Sequence, residues 1–411
     1  MSHGLSEETL KEFYQHVFPV EEIVQWLSYA MNPTTTDDSG DDEEQASMRQ
    51  AVSTGYLARR EFCFTLLGDI FTRFRSYTSV AELRQELVNR FPEKIDVGAV
   101  YNVRPNQKQQ TVIAALEREL VFDIDMSDYD KIRSCCQGKS ICNRCWAWMS
   151  CAAKTMQHIL TDDFGFKYLL PIFSGRRGIH LWVCDKRARK LTDDERGAIV
   201  GYMSVATPTN GSNNSSGGGN VVYDLVNRRA IHPTLAEVQR LFLAPAFEQI
   251  FLNQDASNPN SVSHPKGAAI VFEAVSSAVK NYHRKDVAVK FHEQIPFEAG
   301  VHILDWDYVL KALGDAVAPG VIAAVQFMLL YPRLDEHVST HRDHLLKLPF
   351  CVHPGTGRLC TPLRWEILDS FDPTADPPTL SDMLVTRSIE GRWRKPLVDM
   401  LADMSLDRNE W

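Results

Sequence analysis

Residues 120–130 read LVFDIDMSDYD. The run is apolar enough for a buried strand, yet it carries two aspartates one residue apart. In a strand, successive side chains point to opposite faces. Phe122, Ile124 and Met126 then share one face, and Asp123 and Asp125 project together from the other. Like charges on one face repel, and strand positions disfavour aspartate, so the pattern calls for a positive partner. A divalent cation fits, because Mg²⁺ takes hard oxygen ligands and is often held by one or two carboxylates plus substrate phosphates. A water-exposed strand end, with one aspartate opening a turn into SDYD, is the alternative.

Outward from this run, the sequence alternates between strand and helix patterns. Upstream, Ser6 can cap a helix over EETLKEFYQHVF, Pro19 interrupts, and VEEIVQWLSYAM resumes. The acidic stretch 34–47, TTTDDSGDDEEQAS, lacks large apolar residues and is expected to be a disordered loop. EFCFTLL and DIFTRFRSY form two strands around a Gly-Asp turn, followed by a helix over 80–90 and the strand KIDVGAVY. Downstream, CWAWMSCAAKTMQHIL has helical spacing, and FKYLLPIF and IHLWVCD are strands joined by SGRRG. A helix near 192–206 leads into a flexible Gly/Ser/Asn linker at 208–220. Helical patterns fill about 233–330, and strand-like, irregular text returns at YPRLDEHVS. The expected class is α/β (α+β): a mixed-sheet core over 1–204 and 331–411, interrupted by a helical subdomain over 205–330.

Composition narrows the function. The chain has 411 residues, of which 44% are hydrophobic, so it can bury a sizeable core. No unbroken apolar stretch reaches membrane-spanning length, and the polar, acidic N-terminus does not read as a secretory signal. A soluble intracellular protein without membrane contact is expected. The formal charge of −9 argues against a protein that wraps duplex DNA alone. Basic residues cluster locally instead, at SGRRG, KRARK and RWRK.

Three further motifs carry chemistry. In SGRRGIH (174–180), two arginines lie between glycines at a strand connection. Small residues let the backbone approach a ligand, and guanidinium forks suit phosphate oxygens; the alternative is a tight turn with solvated arginines. Four of the nine cysteines fall at 135, 136, 142 and 145. The odd total and tight cluster point to a metal site in a reducing compartment rather than a disulfide framework. Either all four cysteines bind zinc, or one of the adjacent pair is a bystander and His158 replaces it; the alternative is four reduced structural cysteines without a metal. A closed four-ligand site is structural, not catalytic. The segment 331–358 holds Asp335, Lys347, His353 and Arg358 among apolar residues and two Gly/Pro turns; taken alone it reads first as a loop-rich surface segment, and its interest is as a distant third carboxylate and further phosphate donors.

Taken in order, RREFCFTL (59–66), KIDVGAVYNVRPNQ (94–107), ELVFDIDMSDYD, CCQGKSICNRCW, DFGFKYLLPIFSGRRGIHLWVCD and YPRLDEHVSTHRDHLLKLPFCVHPGTGR resemble the small catalytic subunit of eukaryotic-type DNA primase. The resemblance runs from about residue 10 to 365 and fades across 205–330. It implies that Asp123, Asp125 and Asp335 bind two Mg²⁺ or Mn²⁺ ions. It assigns Ser174, Arg176, Arg177, His180, Lys347 and His353 to nucleotide binding, and Cys135, Cys136, Cys142 and Cys145 to structural Zn²⁺. Arg60 and Asp96 lie in matched motifs, and Glu119 precedes the metal-binding strand. The implied activity is synthesis of short RNA primers from NTPs on single-stranded DNA during replication. The implied partners are a large primase subunit, in a heterodimer, and the DNA polymerase alpha complex; the implied place is the nucleus. The competing readings are a non-catalytic zinc-bearing scaffold in a replication complex and a two-metal nuclease. The arginine motif disfavours the nuclease, which needs no triphosphate clamp.

Overall fold

A computed structural model describes residues 5–29, 55–108, 111–204, 221–281, 285–295, 297–298 and 302–407. The acidic stretch 34–47 and the linker 208–220 lie outside the described residues. Two sheets form the framework. The first runs β2 (Ile70–Arg75), β1 (Arg60–Leu66), β3 (Lys94–Tyr101), β4 (Ala115–Glu117), with β8 (Leu346–Lys347) also pairing β3. The second runs β5 (Leu120–Asp125), β7 (Gly178–Val183), β6 (Leu169–Phe173), β9 (Thr361–Pro362). The chain has the expected mixture of helix and sheet. Where a mixed sheet was expected, every pairing among the described strands is antiparallel.

Local chemistry explains the elements. Ser6 caps the Glu7–His16 helix through a capping box with Thr9. Pro19 stands as the N-cap of the Val20–Ser28 helix. Gly68 and Asp69 both take positive φ, 84° and 61°, and turn β1 into β2. Trp26 packs edge-on against Trp182 of β7, with centroids 5.1 Å apart. The Asn143–Asp162 helix packs against the second sheet: Trp146 meets Phe173 of β6 edge-on at 5.7 Å, and its indole N–H donates to the Leu368 carbonyl.

Helices occupy the described chain from Val221 to Leu330 and separate β7 from β8 in sequence. Two π-helical turns, Gln239–Leu243 and Glu248–Leu252, interrupt that block. The text at YPRLDEHVS is not strand-like: Glu336–Thr340 is a short helix. Asp335 is its N-cap and accepts from the His337 N–H, the arrangement a carboxylate favours at a helix start.

The two sheets are stitched by buried charge. Arg60 of β1 makes a two-pronged bond to Glu119, at 2.9 and 2.8 Å, and neither side chain is exposed. The Tyr29 hydroxyl donates to the same carboxylate at 2.5 Å.

Candidate active site

The double-aspartate strand and the glycine–arginine loop are direct neighbours. Strand β5 pairs with β7 so that Asp123 stands opposite His180 and Asp125 opposite Gly178. Gly178 is required by space: a Cβ there would lie 2.7 Å from the Ile124 carbonyl oxygen. The loop closes on itself, with the Ser174 N–H donating to the Gly178 carbonyl and the Gly178 N–H to Ser174 Oγ, both at 3.0 Å.

The third carboxylate arrives from far along the chain. The Asp335 N–H donates to the Asp123 carbonyl at 3.1 Å, seating the PRLD motif on β5. Two residues earlier, the Arg333 N–H donates to the Tyr129 hydroxyl at 3.1 Å and its guanidinium to the Asp128 carbonyl at 2.6 Å. The guanidinium also lies over the Tyr129 ring. This latch fixes where Asp335 begins its helix. Neither Arg333 nor Tyr129 was singled out in the sequence, although the adjoining SDYD and PRLD motifs were.

The two aspartates of β5 have opposite environments. Burial, then the charges of Asp125 and Asp335, push the Asp123 carboxyl up to about 7. Burial also raises Asp125, but hydrogen bonds from Ser127 and Arg177 outweigh it and hold Asp125 below the usual carboxylate range. Arg177 Nε donates to Asp125, its Nη1 reaches the Gly138 carbonyl at 2.8 Å, and Ser127 donates to Asp125 from both N–H and Oγ. Asp125 is thereby turned toward Arg177. The oxygens of Asp123, Asp125 and Asp335 are not a set lying within 4.8 Å of one another, whereas the four cysteine sulfurs are.

The basic side chains divide into committed and open ones. Arg177 is committed, as above. Arg176 makes no hydrogen bond or ion pair to any described residue. Lys347 stands opposite Asp96 across β3 and β8, and its Nζ donates to the Ser174 carbonyl at 3.3 Å. Burial lowers its pKa and raises that of Asp96. The His353 loop docks on the arginine loop: Thr356 Oγ1 donates to the Gly175 carbonyl at 2.6 Å, and Gly175 has a φ of 83° with the His353 Cβ against it. Burial, then Lys347, lowers both His180 and His353 to about 3, so both rings are neutral at pH 7. His180 Nε2 lies 3.6 Å from Asp123 Oδ1, which is a contact with a neutral ring rather than an ion pair. The structure places Glu119 and Arg60 together, with Tyr29, in the buried link between sheets.

All nine cysteines are free thiols, and Cys135, Cys136, Cys142 and Cys145 are gathered within 4.8 Å. The sulfurs of Cys142 and Cys145 are 3.7 Å apart and those of Cys135 and Cys145 3.2 Å. A tetrahedral ion with Zn–S bonds of about 2.3 Å would set them about 3.8 Å apart. His158 is not among them: it stands between Asp162 and Glu237, which removes it as a substitute fourth ligand. The loop is shaped from outside, since Asn260 Oδ1 accepts from the N–H groups of Ser134 and Cys135 at 2.7 and 3.2 Å.

A protein-family model described as DNA primase small subunit matches residues 122–365. The DNA primase small subunit of Schizosaccharomyces pombe is 35% identical over 393 residues, covering 93% of this chain and 78% of the relative. That of Drosophila melanogaster is 33% identical over 402 residues, covering 93% and 83%. The DNA primase small subunit PriS of Haloarcula marismortui is 27% identical over 330 residues, covering 75% of each chain.

Proposed function

The chain belongs to the DNA primase small subunit family, and from that premise we propose that it makes short RNA primers from NTPs on single-stranded DNA, using the site around Asp123. Its role is that of a primase catalytic subunit in DNA replication, and the designation of its relatives implies a larger partner subunit. The observation that carries the fuller reading is the meeting of three distant motifs at one strand end: Asp123 faces His180 across the β5–β7 pair and accepts the Asp335 N–H.

The carboxylates fit hard divalent cations. They offer oxygen donors only, and the raised Asp123 carboxyl marks negative charge that lacks a counterion. Asp123, Asp125 and Asp335 would hold two Mg²⁺ or Mn²⁺ ions. When bound, such ions lower the pKa of a primer 3′-hydroxyl and neutralise the leaving pyrophosphate. The chain's own residues supply the rest. Arg176 is open to take phosphate oxygens, and Lys347 adds a fixed charge beside Ser174. His180 and His353, neutral at pH 7, orient phosphates as hydrogen-bonding groups rather than charges. Arg177 acts through Asp125, which it holds ionised and aimed. The 3′-hydroxyl gives up its proton to solvent, its oxygen bonds to the α-phosphorus, the α–β bridging bond breaks, and the electrons of that bond leave with pyrophosphate.

The four cysteines would hold a structural Zn²⁺, with no open position for chemistry. The helical block beginning near 221 is read as an insertion between two parts of one catalytic core. A heterodimer with the large primase subunit, association with the DNA polymerase alpha complex and action in the nucleus complete the reading. No helix among the described residues is long and apolar enough to cross a membrane.

The test is primer synthesis on unprimed single-stranded DNA with labelled NTPs and Mg²⁺ or Mn²⁺, with and without a large subunit. Short RNA from the wild type but not from Asp123→Asn/Asp125→Asn supports the reading. No product from either, with the large subunit present, leaves a zinc-bearing scaffold. Product that survives the double substitution puts the metal ions on other residues.

A further inference from the structure

His158 and Asp162 lie four residues apart near the end of the Asn143–Asp162 helix, hence on one face. Glu237, on the Pro233–Val238 helix, comes to the same point. His158 Nδ1 is 3.3 Å from Asp162 Oδ2, and Nε2 is 3.3 Å from Glu237 Oε2. One ring nitrogen and one oxygen from each carboxylate all lie within 4.8 Å of one another. None of the three has a part in the chemistry proposed above.

Charge and hydrogen bonding both point to a missing cation. The two carboxylates converge at the negative end of a 20-residue helix whose last turn holds no basic residue, so the helix dipole adds to their field. Asp163 does not relieve it, because that carboxylate accepts from Thr234 and Tyr202. The His158 ring is held edge-on against Phe242, with its side chain 14% exposed, and its Nε2 is buried without a hydrogen-bond partner. Glu237 Oε2 therefore sits beside that nitrogen rather than in line with a donated proton. The two 3.3 Å contacts are made to opposite ring nitrogens, so an ion would take one nitrogen and draw the farther carboxylate round to it, within the 4.8 Å that already spans the three donor atoms.

We propose that His158, Asp162 and Glu237 bind a divalent transition-metal ion of the zinc type, distinct from the cysteine cluster and from the Asp123 site. Imidazole nitrogen with two carboxylates suits such an ion. Asp162 and Glu237 are half exposed, which leaves water to complete the coordination and a path for the ion to enter. The ion clips the helix that starts at the cysteine cluster to the helix that carries Glu237.

The full chain carrying Asp123→Asn/Asp125→Asn, which silences the carboxylate site, is dialysed against micromolar free zinc and its bound zinc counted by mass spectrometry. The expected result is one ion fewer per chain when Glu237→Gln or His158→Ala is added. Added zinc should also raise the melting temperature of the intact trio and leave that of Glu237→Gln unmoved. Equal zinc counts with and without Glu237→Gln overturn the proposal and leave an imidazolium bridging two carboxylates. Glu237 is half exposed, so Glu237→Gln keeps the test decisive if His158→Ala does not fold.

Discussion

Gly178→Ala is the sharpest perturbation of the site that adds only one methyl group. The new Cβ would stand 2.7 Å from the Ile124 carbonyl oxygen, and ordinary contact begins at 3.4 Å, so β5 and β7 must part by about 0.7 Å. Ile124 lies between Asp123 and Asp125, so the strain falls on the segment that aims both carboxylates. A misplacement of about 1 Å in a catalytic group can cost about 10²-fold in rate; a loss of roughly 30- to 100-fold in primer synthesis is expected. Overpacking should also cost about 1–3 kcal/mol of stability. Steady-state primer synthesis and urea unfolding of the same preparation measure both. Gly197→Ala is the control, because that helical glycine has nothing within 4 Å of an added Cβ; it should keep full activity and gain about 0.5–1 kcal/mol. Wild-type rate and stability in Gly178→Ala would refute the reasoning. So would a rate loss that merely tracks the unfolded fraction.

Three further outcomes are expected. Burial raises the Glu119 carboxyl, but Arg60 and Tyr29 outweigh it and leave it at about 2, below its ordinary 4.5. A depressed folded pKa stabilises above the unfolded value and is lost as pH falls, so Glu119→Gln should cost about 3 kcal/mol at pH 7, shrinking between about pH 4.5 and 2; a pH-independent cost in urea titrations would contradict this. Arg333→Ala should cut kcat by roughly 5- to 160-fold, from about 1–3 kcal/mol of lost bonding, with the KM for NTP little changed; an unchanged kcat would show that Asp335 needs no latch. Chelation of zinc should lower the melting temperature and expose Cys135, Cys136 and Cys142 to a thiol reagent, while equal thiol reactivity before and after chelation would argue against a bound ion.

Much of this arrangement was legible because its signals are local. Alternation marked β5 and placed both aspartates on one face, and glycines marked the loop between β6 and β7. The pairing of those elements was not legible, because register depends on contacts far apart in sequence. Strands β8 and β9 have two residues each, too few for any period to show, yet β8 sets Lys347 opposite Asp96. The helix at Glu336–Thr340, read as strand-like, has only five residues, too few for a helical period to show, although Asp335 caps it. Buried arginines were the other blind spot. Arg60, Arg118, Arg133 and Arg196 are fully buried, against the usual preference of arginine for the surface. Arg196 shows the cause: its guanidinium satisfies carbonyls of Arg118, Glu119, Ala188, Arg189 and Leu191 where chain segments converge. No property of residue 196 or its sequence neighbours announces that convergence.

The bond from the Asp335 N–H to the Asp123 carbonyl joins positions 212 residues apart. During synthesis, at roughly 5–20 residues per second, the β5 pair is made about 10–40 seconds before its third carboxylate exists. Strand β9, which borders β6, follows later still. A ribosome-bound chain can therefore pair β5 with β7 and expose an unfinished sheet edge while lacking the complete set of acids. On the proposed reading of the site, the newborn chain stays catalytically silent until the segment that carries Asp335 has been translated.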